Sequence, residues 1–182
     1  MAASLLGLAF VAGSPGIAPW SIRSVALVLA GLALVHGLGL YDDFVNLRAP
    51  LKFLVQLGAG TLVALSGALL RVLELPWIGS VELPLWLAFA FTILWVVSIS
   101  NAVNLIDGAD GLAGGVALFA ALFMGIIALG QGSLVTAVLA FAVVGSLAGF
   151  LVYNLPPAKI FMGDSGSLTL GFILAVLPLL GL

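Results

Sequence analysis

The sequence predicts an all-α fold, a polytopic bundle of transmembrane helices. Two observations carry that expectation. Hydrophobic residues fill 64% of the 182 positions and charged residues only 7%, against about 25% charged in soluble domains. Mean hydropathy is +1.38. The apolar residues are also gathered into runs of membrane length, since a hydrocarbon core of ~30 Å needs about 20 helical residues. Five complete spans are expected, at 22–40, 51–70, 83–99, 112–129 and 134–153, with two partial ones at the ends, 1–12 and 168–182. The chain is read as a single membrane-embedded domain, 1–182.

The same composition excludes other classes. Without cysteine there is no disulfide framework and no thiolate metal site. A net charge of −2 offers no basic face to nucleic acid.

The elements follow in order. The run at 1–12 precedes a Gly-Ser-Pro-Gly turn at 13–16 and has no positively charged start, which makes it a poor signal peptide. The five middle runs are rich in Leu, Ala, Val and Gly. Gly58 and Gly60, and Gly145 and Gly149, are expected to let helices approach closely. The last run stops short of a full crossing. Both ends look cut, so a piece of a longer chain is expected.

The connections fall into two kinds. Segments 71–82 and 130–133 read as ordinary turns, and Glu74 and Glu82 as solvated turn residues. Segments 41–50, 100–111 and 154–167 hold most of the polar side chains, five of the seven acids among them. Two spans separate each of these from the next, and an even number returns the chain to the same side. Asp42, Asp43, Asp107, Asp110 and Asp164 are therefore expected at one membrane face. Arg48, Lys52 and Lys159 lie on that side, Arg23 and Arg71 on the other. The positive-inside rule makes the acidic face cytoplasmic.

Each polar segment has a plain reading and a chemical one. Asp164, after Gly163 and before Ser165-Gly166-Ser167, suits a helix N-cap. It also suits a hard cation such as Mg²⁺, which takes oxygen ligands and shares them with phosphate. Asn101, Asn104, Asp107 and Asp110 crowd into ten positions, with Gly108 among them and Gly111 next. Capping and turn formation explain one or two of them; a metal or polar-ligand site explains all four. The adjacent pair Asp42–Asp43, with Lys52 nine residues after Asp43, reads either as a solvated loop with a snorkelling lysine or as a group managing a cation, a proton or a diphosphate. His36, inside a span, is expected to make an interhelical hydrogen bond.

These residues fit Mg²⁺-dependent phosphoryl chemistry on a lipid. They also fit an ion-coupled transporter, although transport sites tend to lie near the midplane on broken helices. A remnant that binds without turnover is a third reading.

Three strings together resemble a known family: DDFVNLRAPLKFLVQ, NAVNLIDGADGLAGG and PPAKIFMGDSGSLTLGF. In order and spacing they are similar to the polyprenyl-phosphate N-acetylhexosamine-1-phosphate transferases (glycosyltransferase family 4). The resemblance implies transfer of a sugar-1-phosphate from a UDP-N-acetylhexosamine to a polyprenyl phosphate, undecaprenyl phosphate in bacteria, with release of UMP and a requirement for Mg²⁺ (Mn²⁺ as a substitute). It implies a multi-pass protein of the inner cell membrane with its site facing the cytoplasm, and a homodimer as one form.

By position it implies Asp164 and Asn104 as metal-holding residues. Asp42, Asp43 and Lys52 are implied beside the reacting phosphates. Asn101, Asp107, Gly108, Asp110 and Phe161 are implied in substrate binding, with Gly108, Asp110 and Phe161 on the uracil. The family's N-terminal Pro–Arg/Lys–His segment and its later His-rich loop have no match here. Between donors, Ile106 stands where the UDP-MurNAc-pentapeptide enzymes usually have Thr, which favours UDP-GlcNAc.

Overall fold

The computed structural model describes residues 21–75 and 79–180. The expected partial span at 1–12 lies outside the described residues. Among them the chain forms α1 (Ile22–Val45), α2 (Ala49–Leu65), β1 (Val72–Leu75), β2 (Gly79–Glu82), α3 (Leu85–Ile106), α4 (Leu112–Gly130), α5 (Leu134–Asn154) and α6 (Gly163–Val176), which continues as a 3-10 turn at Leu177–Leu180.

The all-α expectation holds, and among the described residues five helices are long and apolar enough to cross a membrane. Their membership differs from the expectation at two places. The span expected at 51–70 ends at Leu65 after 17 residues. There Ser66 Oγ donates to the Val63 carbonyl at 2.6 Å and Gly67 turns the chain at φ +93°. The last run, expected from 168, begins instead at Gly163 and reaches Leu180, 18 residues in all. Residues 163–167 read as loop because they are polar and glycine-rich; they are helical because another helix caps them.

α1 and α3 also outrun the hydropathy signal. α1 continues to Val45 and α3 to Ile106. Asp42, Asp43, Asn101 and Asn104 therefore stand on the last turns of helices and not in loops, a correction to the expected segments. Their side chains find partners on neighbouring helices, so polarity does not end the helix.

The turn expected at 71–82 is an antiparallel hairpin with Val72 opposite Glu82 and Leu75 opposite Gly79. Its unpaired edges suit the end of a bundle, where water can reach them, and not hydrocarbon.

α6 is the hub. One face, Leu168, Phe172, Ala175 and Val176, packs with Val35 and Leu38 of α1, Ala59 and Val63 of α2 and Val96 of α3. Its other face, Leu170 and Leu174, joins Val103 of α3, Ala117 and Ala121 of α4 and Ala140, Val143 and Leu147 of α5. Of the expected close-packing glycines, Gly60 lies against Ile93 of α3. At Gly58, Gly145 and Gly149 no other element among the described residues comes within 4 Å of where a Cβ would stand.

α2 runs antiparallel to α3, with Gln56 against Asn101 and the Leu70 N–H on Thr92 Oγ1 at 2.9 Å. The connection after α3 likewise meets the one after α5, with the Gly111 N–H on Asn154 and the Ala158 N–H on Asp110, so the polar segments gather at one end as the span count expects. The ends of α1, α3 and α5 and the start of α6 meet at one end of the bundle.

Candidate active site

The site is built on Asp164, in the first turn of α6. Lys52, near the start of α2, donates to Asp164 Oδ2 at 3.0 Å. The same Nζ ion-pairs with Asp42 Oδ2. Asn104, on the last turn of α3, donates from Nδ2 to Asp164 Oδ1 at 3.0 Å and to Ser167 Oγ at 2.8 Å. Ser167 Oγ in turn donates to the Gly163 carbonyl at 2.9 Å. Four elements thus converge on one carboxylate.

The two neighbouring aspartates face different partners. Asp42 is almost wholly buried, its side chain 3% exposed. Its Oδ1 accepts the Leu47 N–H at 2.6 Å, and its carbonyl accepts the Asn46 N–H at 2.9 Å. Asn46 is left-handed at φ 55°, a helix C-cap conformation that asparagine tolerates. Pro50 then opens α2, where its fixed φ suits a first turn. This tight connection puts Lys52 beside Asp42. Asp43 turns the other way. Its Oδ1 accepts the Asp164 N–H at 2.8 Å and its Oδ2 the Ser165 N–H at 3.2 Å.

Asp107 caps the end of α3. Partial burial, together with the negative charge of Asp164, raises its pKa above the usual carboxylate value. Asp110 is exposed and accepts the Ala158 N–H on Oδ2 at 3.0 Å. Gly108 is exposed with open space around it. Phe161 is 77% exposed, a bare aromatic face at the polar end.

Asn101 is placed differently from the other implied binding residues. It donates to Gln56 Oε1 at 2.5 Å and to the Val97 carbonyl at 2.7 Å. It is an interhelical fastener that also lines a groove of about 410 Å³ with Ala49, Pro50, Lys52 and Phe53. His36 bonds Thr169 through Nδ1 at 3.1 Å, the interhelical role expected of it.

Two residues of this region were not among the expected ligands. Gln56, 2% exposed, pairs with Asn101; a lone amide inside an apolar run was its only signal. Asn154, 4% exposed, accepts the Gly111 N–H at 3.0 Å and donates to the Ile160 carbonyl at 2.8 Å. It ties the connection after α3 to the one after α5.

The donor set sets a limit on any metal. Among the described residues no group of three or more His, Asp or Glu side chains could cage an ion. Mg²⁺ seldom needs such a cage; it is held by one or two carboxylates with waters and phosphate oxygens completing its shell. Asp164, with about a third of its side chain exposed (32%), fits that mode. Asn104 presents Nδ2 to it, so its amide oxygen reaches the same place only with the amide turned over.

Known sequences resemble the chain over most of its length. The sequence model of Glycosyl transferase family 4 matches residues 25–182. The chain is 38% identical over 172 residues to a "Probable undecaprenyl-phosphate N-acetylglucosaminyl 1-phosphate transferase" of Bacillus subtilis, covering 94% of this chain and 48% of that protein. It is 41% identical over 177 residues to a phospho-N-acetylmuramoyl-pentapeptide-transferase of Levilactobacillus brevis, covering 90% and 54%. It is 44% identical over 160 residues to one of Lactiplantibacillus plantarum, covering 82% and 50%. The chain spans about half the length of these curated relatives.

Proposed function

Since the chain belongs to glycosyl transferase family 4, we propose that the protein moves a sugar-1-phosphate from a UDP-N-acetylhexosamine to undecaprenyl phosphate at the cytoplasmic face of the inner membrane. An oxygen of the lipid phosphate attacks the phosphorus that carries the sugar. The new oxygen–phosphorus bond forms as the bond to UMP breaks, giving a lipid-diphospho-sugar and free UMP. The observation that carries the reading is the convergence of Lys52, Asp42 and Asn104 on Asp164 at one end of an apolar bundle.

Each group has a task in such a transfer. The reaction is mostly positioning plus stabilisation of spreading negative charge. Lys52 supplies a positive charge beside the phosphates. Asp42 holds the ammonium in place and keeps it charged. The groove beside Lys52, with Phe53 and Pro50 on its wall, suits a phosphate borne on an apolar chain. Asp110 and Gly108, with Phe161 as a stacking face, suit the uracil. Asp164, with Asn104 behind it, would hold Mg²⁺, which when bound neutralises charge on the diphosphate oxygens.

The donor is proposed to be UDP-GlcNAc. Ile106 supports that choice, as does the name of the Bacillus relative. UDP-MurNAc-pentapeptide is the alternative, favoured by the names of the lactobacillar relatives. The test is UMP release by the purified protein with undecaprenyl phosphate, Mg²⁺ and each donor in turn. Release with one donor, abolished by chelator, establishes the reaction and names the sugar. No release with either, alongside ion-driven uptake into sealed vesicles, would replace the enzyme with a transporter.

A further inference from the structure

The two adjacent aspartates are not equivalent, and the geometry points to a separate task for the second. We propose that Asp43 is a positioning residue: reaching from α1, its carboxylate caps the start of α6 and fixes where Asp164 meets its cation. The cation rests on the function proposed above; the cap rests on geometry alone.

α6 starts without help from its own sequence. Met162, at its N-cap, makes no side-chain capping bond. The first four N–H groups of a helix have no partner inside it, and here two of them, on Asp164 and Ser165, are taken by the two oxygens of Asp43. Bonds from N–H groups to a carboxylate are charge-assisted, and a negative charge at this end is aligned with the helix dipole.

Two glycines make the contact possible. Gly163 has φ +68°, and a Cβ there would stand 3.1 Å from both Asp43 oxygens. One turn before Asp43, a Cβ on Gly39 would stand 2.4 Å from Ser165 Cα and 2.6 Å from the Asp164 carbonyl oxygen. Backbone meets backbone at this crossing, so the carboxylate is seated on α6 itself.

The chain of cause is short. One of the captured N–H groups belongs to Asp164, so releasing it frees the backbone from which that carboxylate hangs. Misplacement of a reacting group by about 1 Å can cost about 100-fold in rate. Asp42 cannot take over the cap, because it is engaged with Lys52 and the Leu47 N–H.

The experiment compares the purified protein in lipid nanodiscs with Asp43→Asn and Asp43→Ala. Three quantities are read: amide hydrogen exchange across 163–167, Mn²⁺ binding by electron paramagnetic resonance, and the Mg²⁺ dependence of UMP release. Loss of a cap worth ~1–2 kcal/mol corresponds to roughly 10-fold faster exchange. Asp43→Ala is expected to show that acceleration at 163–167 only, with about 10-fold weaker Mn²⁺ binding. Asp43→Asn keeps one acceptor and the size. It is expected to need several-fold more Mg²⁺ for half-maximal rate, yet to return to within about threefold of the parent rate at saturating Mg²⁺.

Unchanged exchange at 163–167 in either variant overturns the proposal. So does an Asn variant that loses about 100-fold at every Mg²⁺ concentration with normal exchange and Mn²⁺ binding, the behaviour of a group acting on the substrate itself. Should Asp43→Ala fail to fold, the Asn variant decides. A protein that releases no UMP at all refutes the proposed reaction, while exchange and Mn²⁺ binding still decide the role of Asp43.

Discussion

Lys52 Nζ stands 3.0 Å from Asp164 Oδ2, across 112 positions of sequence, while ion-paired with Asp42. One ammonium thus joins the first polar segment to the third. The arrangement explains how a chain with only five Lys and Arg keeps two like charges side by side. Asp42 is neutralised by Lys52, and Asp43 by the N–H groups of a helix.

Asp164→Asn leaves the Lys52–Asp42 pair intact but removes the carboxylate that would hold Mg²⁺. UMP release is expected to fall at least about 100-fold and not to recover at high Mg²⁺, since the stabilisation of transferring phosphoryl charge is lost. The check is a Mg²⁺ titration of the rate. Full activity in this variant would remove Asp164 from the metal site.

Lys52→Met strands Asp42 as a buried, unpaired charge. Breaking such a pair from one side costs about 3 kcal/mol. Adding Asp42→Asn should return most of that stability without returning activity. Denaturation midpoints of the two single variants and the double variant in detergent measure the coupling, and an absence of coupling would contradict the ion pair.

Asn154→Ala removes two bonds at once and leaves the Gly111 N–H and the Ile160 carbonyl unpaired. The loss of each bond costs ~0.5–1.5 kcal/mol. The connections that carry Asp110 and Phe161 are then expected to loosen, raising KM for the UDP-sugar more than lowering kcat. Steady-state kinetics separate the two, and a pure kcat effect would count against this role.

Asp107 gives a pH dependence whose sign follows from its raised pKa. A carboxyl that holds its proton more tightly when folded favours the folded state at low pH. That advantage is complete below the unfolded pKa of about 3.9 and is lost as pH rises through the folded pKa. Asp107→Asn should therefore raise Tm at pH 7 and leave it unchanged near the acid end of that window. Melting curves at the two pH values test it; equal shifts at both would sink the assignment.

The membrane class was legible at once, because apolar runs have one physical use at that length. The shared face of the polar segments was legible too, from counting spans. The helix ends were not. Hydropathy stops at polar residues, yet α1 and α3 run on through Asp42, Asp43, Asn101 and Asn104, whose side chains are satisfied by other helices. The start of α6 was hidden for the same reason, its cap lying 121 residues away. The candidate residues were legible as a group at one end of the bundle, but their division of labour was not. Asn101 turned out to fasten α2 to α3 as well as to line the groove.

By itself, then, the sequence determined a helical membrane chain with five of its seven acids at one end, because apolar run length and span parity depend only on local order. Tertiary structure alone decided which carboxylate pairs with Lys52, which caps α6 and which stays open to a cation. The last two choices depend on helices brought together across more than 100 residues, where a glycine at 39 or 163 sets how near two backbones can come.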